Sequence, residues 1–316
     1  MIGRWLAGFA LLASLLAAPS AGAEWLRLDL AAELQLDRAL QAGGDPTFAS
    51  ESSIAVAARG PLGIALAGEF RLEPDHDGRG LASGIEELTL AARLGPLAVR
   101  AGRLTADIGL AWREAPGVFG ADFAEDFERS RRSGLVASLE APGLERFGRS
   151  RLSLSWYAGE DANTPDSFAL ALDAHDMLGV PGLRLHAAYL DENRGGTTER
   201  GVLLALSRVW RASPSVELEP LIEAARRTET DGRPGGVWNV TTGLTVRRGS
   251  LAVSLAHSLR LPGGGPGPAD RLLDATVGFG LPGGLELAVA FGNFRECGIR
   301  SRVVGLRLGW SFGLSR

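Results

Sequence analysis

The sequence predicts an all-β protein, a transmembrane antiparallel up-and-down β-barrel of about sixteen strands. Three observations point there. Short runs such as Leu62–Leu72 and Leu285–Phe291 trade apolar for small or polar residues one by one, the period of a strand with two unlike faces. The connections between runs alternate between tight turns and longer polar loops, as they do where the two rims of a barrel differ. One segment, Thr105–Ser130, has no clean period of two or 3.6 and far exceeds the roughly six residues of an ordinary connection.

The chain opens with a secretory signal over residues 1–23. Arg4 supplies a positive start, Trp5–Ala17 an apolar stretch, and Ala21-Gly22-Ala23 a small-residue cleavage site before Glu24. That apolar stretch is shorter than the roughly 20 residues of a spanning helix, so the mature chain, 24–316, is expected to be exported and to cross a membrane only with strands. The 33 basic residues, all arginine, stand against 37 acidic ones, a balance that argues against nucleic acid as a partner. Cys297 is the single cysteine, which excludes an internal disulfide and a cysteine metal cluster.

The first mature strand is the clearest. Leu26, Leu28, Leu30, Ala32, Leu34 and Leu36 share one face, and Arg27, Asp29, Glu33, Gln35 and Asp37 the other. Further strands are expected near 50–60, 62–73, 84–94, 97–104, 129–140, 150–159, 166–175, 183–190, 200–210, 216–226, 237–247, 250–260, 270–280, 285–293 and 302–312. Tight turns fall at Gly60–Gly63, Gly95-Pro96, Leu178–Gly182, Ala212–Ser215, Arg248–Ser250 and Leu281–Gly284, with a longer one at Ala141–Arg149. Longer polar loops fall at Gln41–Ala49, Pro74–Ser83, Glu160–Pro165, Asp191–Glu199, Thr228–Gly236, Leu261–Ala269 and Phe294–Ser301. Pro220 lies inside a predicted strand, a weak point in a barrel without free edges.

Aromatics sort to the strand ends of the apolar face. Phe70, Trp156, Phe168, Tyr189, Trp238 and Phe291 fall near the long-loop rim, and Trp210, Phe279, Trp310 and Phe312 near the tight-turn rim, two girdles of the kind bilayer interfaces collect. The opposite face carries Glu69, Arg71, Arg184, His186, Glu217, Glu219, Glu223, Asn239, Thr241 and Arg307. So many charges are prohibitive in a dry core, and an interior of this size is expected to be a wet channel. Within the aperiodic segment, Asp122, Glu125, Asp126 and Glu128 cluster ahead of Arg129, Arg131 and Arg132. They read either as a solvated acidic surface loop or as a loop folded into the barrel mouth, where its carboxylates narrow and charge the pore.

In these features the mature chain resembles the Gram-negative outer-membrane porins: a signal segment, about sixteen strands and a long third outer loop between strands five and six. The stretch Gly102-Arg103 to Leu110-Ala111-Trp112, with Ala115–Gly120 and Asp122–Asp126, is similar to the corresponding stretch of a proteobacterial porin subfamily, and departs from the PEFGG-type loop of others. The last strand, Val303–Phe312, resembles a barrel-assembly signal, although Gly313–Arg316 follow its terminal aromatic. The resemblance implies a general porin of the outer membrane, an aqueous channel for passive diffusion of small hydrophilic solutes and ions, without cofactor or catalysis. It also implies a constriction loop over about 105–128, with outer-membrane lipid and the barrel-assembly machinery as partners, and a homotrimer. The pore constriction would be formed by Asp122, Glu125, Asp126 and Glu128, facing wall arginines drawn from Arg27, Arg71, Arg100, Arg184 and Arg307; a salt bridge to a lumen acid is the competing role for each arginine.

Other readings are a barrel with substrate-specific uptake, a structural or adhesive barrel, a soluble sandwich and a barrel hydrolase. The hydrolase needs a base within reach of a serine, and His76, His175, His186 and His257 show no such spacing. Asp75-His76-Asp77 and Asp161–Asp166 have oxygen ligands for Ca²⁺ but read more simply as hydrated loops, so no metal is expected. Gly263–Gly267 lacks the strand, helix and lysine of a phosphate cradle.

Overall fold

The computed structural model describes residues 27–41, 47–59, 64–74, 81–141, 148–159, 164–194, 197–228, 235–263 and 268–315. Side chains of 27–59, 70–86 and 311–315 fall outside that description, as do residues 1–23, where the signal segment is expected, and the aspartates at 75, 77 and 161.

The chain runs through β1 (Arg27–Gln41), β2 (Thr47–Arg59), β3 (Ile64–Pro74), β4 (Leu81–Leu94) and β5 (Leu97–Leu104) before the long connection. After it come β6 (Arg132–Glu140), β7 (Arg149–Ala158), β8 (Pro165–His175), β9 (Leu183–Arg194), β10 (Thr197–Arg208) and β11 (Trp210–Ser213). The remainder is β12 (Val216–Arg227), β13 (Val237–Arg248), β14 (Leu251–Pro262), β15 (Asp270–Leu281), β16 (Leu285–Glu296) and β17 (Ile299–Ser315). All pairings are antiparallel and follow chain order. β1 pairs with β2 on one side and with β17 on the other, from Asp29↔Ser315 to Gln41↔Val303, so the succession of pairings returns to its start.

The seventeen segments make sixteen staves. Ser207 faces Leu221 and Trp210 faces Leu218 in one unbroken register, so β10 and β11 are a single stave against β12. Their ladder lapses at Arg208 and Val209, opposite Pro220, whose ring nitrogen has no hydrogen to give. On its other side Val209 still donates its N–H to the Gly182 carbonyl at 3.1 Å. The weak point expected at Pro220 is thus a one-sided gap that leaves the wall intact.

The staves whose side chains are described are inside-out by the standards of a water-soluble domain. Along β7, Leu152, Leu154 and Trp156 are exposed while Ser153, Ser155 and Tyr157 are buried; along β15, Leu273, Val277 and Phe279 are exposed while Asp274 and Thr276 are buried. An apolar band on the outside and polar residues within is the pattern of strands that meet lipid. The expected girdles lie on that outer face. Trp156, Phe168, Trp238 and Phe291 mark one rim, and Trp210, Phe279 and Trp310 the other, all between 37% and 53% exposed. Trp156 faces Phe168 across β7 and β8, and the rings of Phe168 and Tyr189 stand 5.9 Å apart. Phe70 and Phe312 lie in β3 and β17, with side chains outside the described set.

Two expectations need correction. The polar loop placed at Phe294–Ser301 is a two-residue turn, Cys297-Gly298, with φ of 50° and 84°. Positive φ at both central positions matches the twist of a hairpin, so β16 and β17 run further out than their hydrophobic pattern indicated. The interior is also not wet throughout. Part of it is a packed core in which Ile108, Leu110, Ala111 and Phe127 of the long connection lie against Tyr157, Ala169, Ala171, Leu190, Leu203, Ala205 and Ala225 of the wall.

Candidate functional site

The connection between β5 and β6 turns inward instead of out. Its two ends are tied together where the Ala106 N–H donates to the Arg129 carbonyl at 3.0 Å. Between them lie a one-turn helix, α1 (Ala111–Glu114), and a 3₁₀ turn at Glu125–Phe127. Alanines at the inward positions of β8, β9, β10 and β12 leave room for this backbone to approach the wall, which explains the packed side of the lumen.

Three anchors hold the loop against strands that come much later in the chain. At the first, Glu223 Oε2 of β12 accepts the N–H groups of Leu110 and Ala111 at 2.6 and 2.9 Å, and His186 Nε2 accepts that of Gly109 at 3.2 Å. These are donors that an unaided helix start leaves unsatisfied, and a carboxylate acceptor makes such bonds strong. At the second, Asp274 Oδ2 accepts the Phe119 N–H at 2.6 Å, Thr276 Oγ1 accepts that of Val118 at 3.1 Å, and Arg307 donates to the Val118 carbonyl at 3.1 Å. Gly117 has φ +97°, and a Cβ there would stand 2.4 Å from Asp274 Oδ2, so only glycine allows this approach. Phe119 rests on a glycine seat: a Cβ on Gly292 or Gly305 would meet its ring at 2.9 or 2.6 Å.

The third anchor is ionic. Arg129, 2% exposed, donates to Glu192 Oε2 at 2.6 Å and Glu199 Oε1 at 2.8 Å. Asp126 Oδ2 receives Arg227 at 3.2 Å, Arg260 at 2.8 Å and the Asn239 amide at 3.3 Å. Buried charges persist only when paired and hydrogen-bonded in this way.

On the side of β3–β5 the loop leaves an open cavity of about 540 Å³. Six carboxylates, Glu69, Glu87, Asp107, Asp122, Glu125 and Glu128, line it with three arginines, Arg100, Arg113 and Arg307. A second cavity of about 440 Å³, lined among others by Glu219, Arg247 and Glu286, shares Arg113, Ala115, Gly117, Val118 and Arg307 with the first. Charged groups along a narrow passage with low-dielectric walls focus the field and select by sign.

Of the acidic residues anticipated for the constriction, Asp122, Glu125 and Glu128 stand at the cavity, whereas Asp126 is turned to the opposite wall and spent on Arg227 and Arg260. Asp122 is reached by lumen water yet has protein on most sides. This burial, reinforced by the Glu125 and Asp274 carboxylates and only partly offset by Arg307, pushes its pKa up to about 7.

Of the arginines, Arg100 lines the cavity while bonded to Glu87 at 2.9 Å and the Thr105 carbonyl at 3.2 Å, and Arg307 borders both cavities. Arg184 departs from the pore-wall expectation. It grips both oxygens of Asp173 at 2.8 and 2.6 Å and also meets Glu114, fastening α1 to β8 and β9. Arg27 and Arg71 lie in β1 and β3 with side chains outside the described set.

Sequence reasoning placed Glu223, Asn239 and His186 on the inner face without their role as anchors, and it missed Asp274, Asp107 and Arg113. The alternation of β15, which puts Asp270, Asp274 and Thr276 on the inner face, was the available signal for Asp274. Among the described residues no group of three His, Cys, Asp or Glu could hold a metal ion, and no helix is long and apolar enough to cross a membrane.

No family model and no curated protein matches the chain. Solved structures do. A loop-deletion mutant of the outer membrane protein OmpT of Vibrio cholerae shares 12% identity over 92% of this chain and 100% of its own, at a TM-score of 0.62. A triple mutant of the Rhodopseudomonas blastica porin shares 12% over 90% and 100%, also at 0.62. Salmonella typhi OmpF in complex with daunomycin shares 13% over 90% and 97%, at 0.65. At such identities the fold is what is common: the chain is built as a porin-like β-barrel.

Proposed function

We propose that this protein is an outer-membrane porin, a water-filled channel through which small hydrophilic solutes and ions diffuse passively, with cations favoured. One observation carries the reading. The loop that crosses the lumen does not plug it but leaves a gap with six carboxylates and three arginines on its walls, and the gap joins a second polar cavity below. Solutes meeting this excess of acid would be sorted by charge before size, and the apolar outer band supports a channel set in lipid. Export by the signal segment, insertion through β17 by the barrel-assembly machinery, and a homotrimer belong to the same reading. It contains no catalytic step and no cofactor.

Single-channel recording in planar bilayers tests it. The wild type is expected to show ohmic conductance steps and a reversal potential of cation sign in a salt gradient. Asp122→Asn, Glu125→Gln and Glu128→Gln together are expected to move that potential toward anions while heat-modifiable migration on a gel is kept. An unmoved potential would take these carboxylates out of the pore, and absence of conductance from correctly folded protein would end the channel reading.

A further inference from the structure

On the outer face, where the chain is expected to meet lipid, four arginines crowd the long-loop end of β15, β16 and β17. Arg271 lies directly opposite Arg295, and Arg295 directly opposite Arg300. Arg302 follows on the same face of β17, across from Asn293. Residues directly opposite on one face have Cβ atoms about 4.5–5.5 Å apart, and like charges there repel. Two such repulsive pairs share one arginine.

The surroundings do not relieve the repulsion. Among the described residues none of the four makes an ion pair, and the carboxylates next to them in sequence on β15 and β16, Asp270 and Glu296, belong to the inner face and are occupied there. Glu296 pairs with Arg260 at 3.1 Å, and Asp270 accepts the Cys297 N–H at 2.7 Å. Arg271, Arg300 and Arg302 are exposed, and the Nε of Arg295 is shielded from solvent with no hydrogen-bond partner among the described residues. A position at the rim is equally telling. Along β16 the outward face reads Phe291, Asn293, Arg295, so the arginine lies about 13 Å further along a tilted strand, or about 10 Å above the aromatic belt, at the depth of lipid headgroups. Each stem can lie along the apolar band while its guanidinium reaches that layer.

We propose that this four-arginine patch binds the phosphoryl groups of an anionic lipid headgroup in the leaflet around the long-loop rim. Guanidinium presents a rigid fork that meets phosphate oxygens two at a time, and one dianionic phosphoryl group between Arg295 and its two neighbours turns both repulsive pairs into attractive ones. The zwitterionic alternative, a headgroup whose phosphate is masked by its own ammonium, would leave a net positive row. The proposal rests on the membrane reading above for the direction the face looks.

The test uses the full mature chain in phosphatidylcholine nanodiscs containing a minor fraction of phosphatidic acid or of diacylglycerol, with retained lipid read by native mass spectrometry. The wild type is expected to retain phosphatidic acid over diacylglycerol. Arg271→Gln, Arg295→Gln, Arg300→Gln and Arg302→Gln together are expected to weaken that retention by more than about tenfold. A milder variant carrying only Arg271→Gln and Arg302→Gln, both exposed, should lose part of it. Arg248→Gln, an exposed arginine at the opposite rim, should lose none.

Equal retention by wild type and the fourfold variant would overturn the proposal. So would inorganic phosphate binding the patch in detergent with no lipid preference, which makes it a free-anion site, or loss of oligomer without loss of lipid, which makes it a subunit contact. Failure of wild type and variant alike to enter the nanodisc would instead sink the membrane reading.

Discussion

At Asp122 the carboxyl is open to the lumen on one side and crowded by Glu125 and Asp274 on others, and its pKa of about 7 has a consequence for transport. An acid with a raised pKa is neutral below that value and ionised above it. Between about pH 6 and pH 8 the constriction therefore gains a negative charge, and cation preference is expected to rise with pH. Reversal potentials recorded from pH 5 to pH 9 should show a step near 7 that Asp122→Asn abolishes; a flat wild-type profile would place Asp122 away from the ion path. The acidic run was legible in the sequence as a run, but its division of labour was not. Whether Asp126 or its neighbours faces water depends on Arg227 and Arg260, a hundred residues and more downstream, and no local spacing encodes that meeting. Which of its two expected roles Arg184 takes was hidden for the same reason, since Asp173 lies on an adjacent strand and Glu114 on the loop.

The long connection owes its shape to the ionic and backbone anchors more than to helix propensity, since α1 is a single turn and isolated helices so short are unstable in water. Arg129 is the member whose removal is most informative. Arg129→Met leaves Glu192 and Glu199 buried and short of a partner, which costs about 3–5 kcal/mol where nothing else compensates. Arg132 and Arg194 remain close to these two acids, so a loss near the lower end, about 3 kcal/mol, is expected. Heat-modifiable migration should shift to lower temperature, and single-channel conductance should become larger and noisier as the loop leaves its seat. Adding Glu192→Gln and Glu199→Gln should restore part of the stability. If Arg129→Met leaves both measurements at wild-type values, the ionic anchor does not position the loop. At this scale the sequence showed where strands and breaks fall, including the break at Pro220. It did not show the Cys297-Gly298 turn, because polar residues at the ends of β16 and β17 resemble a loop until both strands are paired.

Across the whole molecule the alternation of faces was the most legible property, because it is local to each strand and repeated sixteen times. A pair of neighbours checks it. Leu287 is 43% exposed on the outer band, and Glu286 borders the lower cavity. Leu287→Arg is expected to cost roughly 2–4 kcal/mol in a bilayer and to reduce the yield of folded barrel. Glu286→Arg should fold normally and alter conductance alone. Equal losses would mean that the two faces are exchanged. What the alternation could not reveal is the packed core within the lumen, since inward alanines are compatible with an empty channel as well as with a loop packed on them. The placement of the anchors also imposes an order in time. Glu192, Glu199 and His186 can hold one side of the loop early, but Glu223, Asn239, Asp274, Gly292, Gly305 and Arg307 lie in the last third of the chain, so its seat is complete only when those strands stand around it. A barrel still lacking those last strands is therefore expected to be wider at its waist than the finished one.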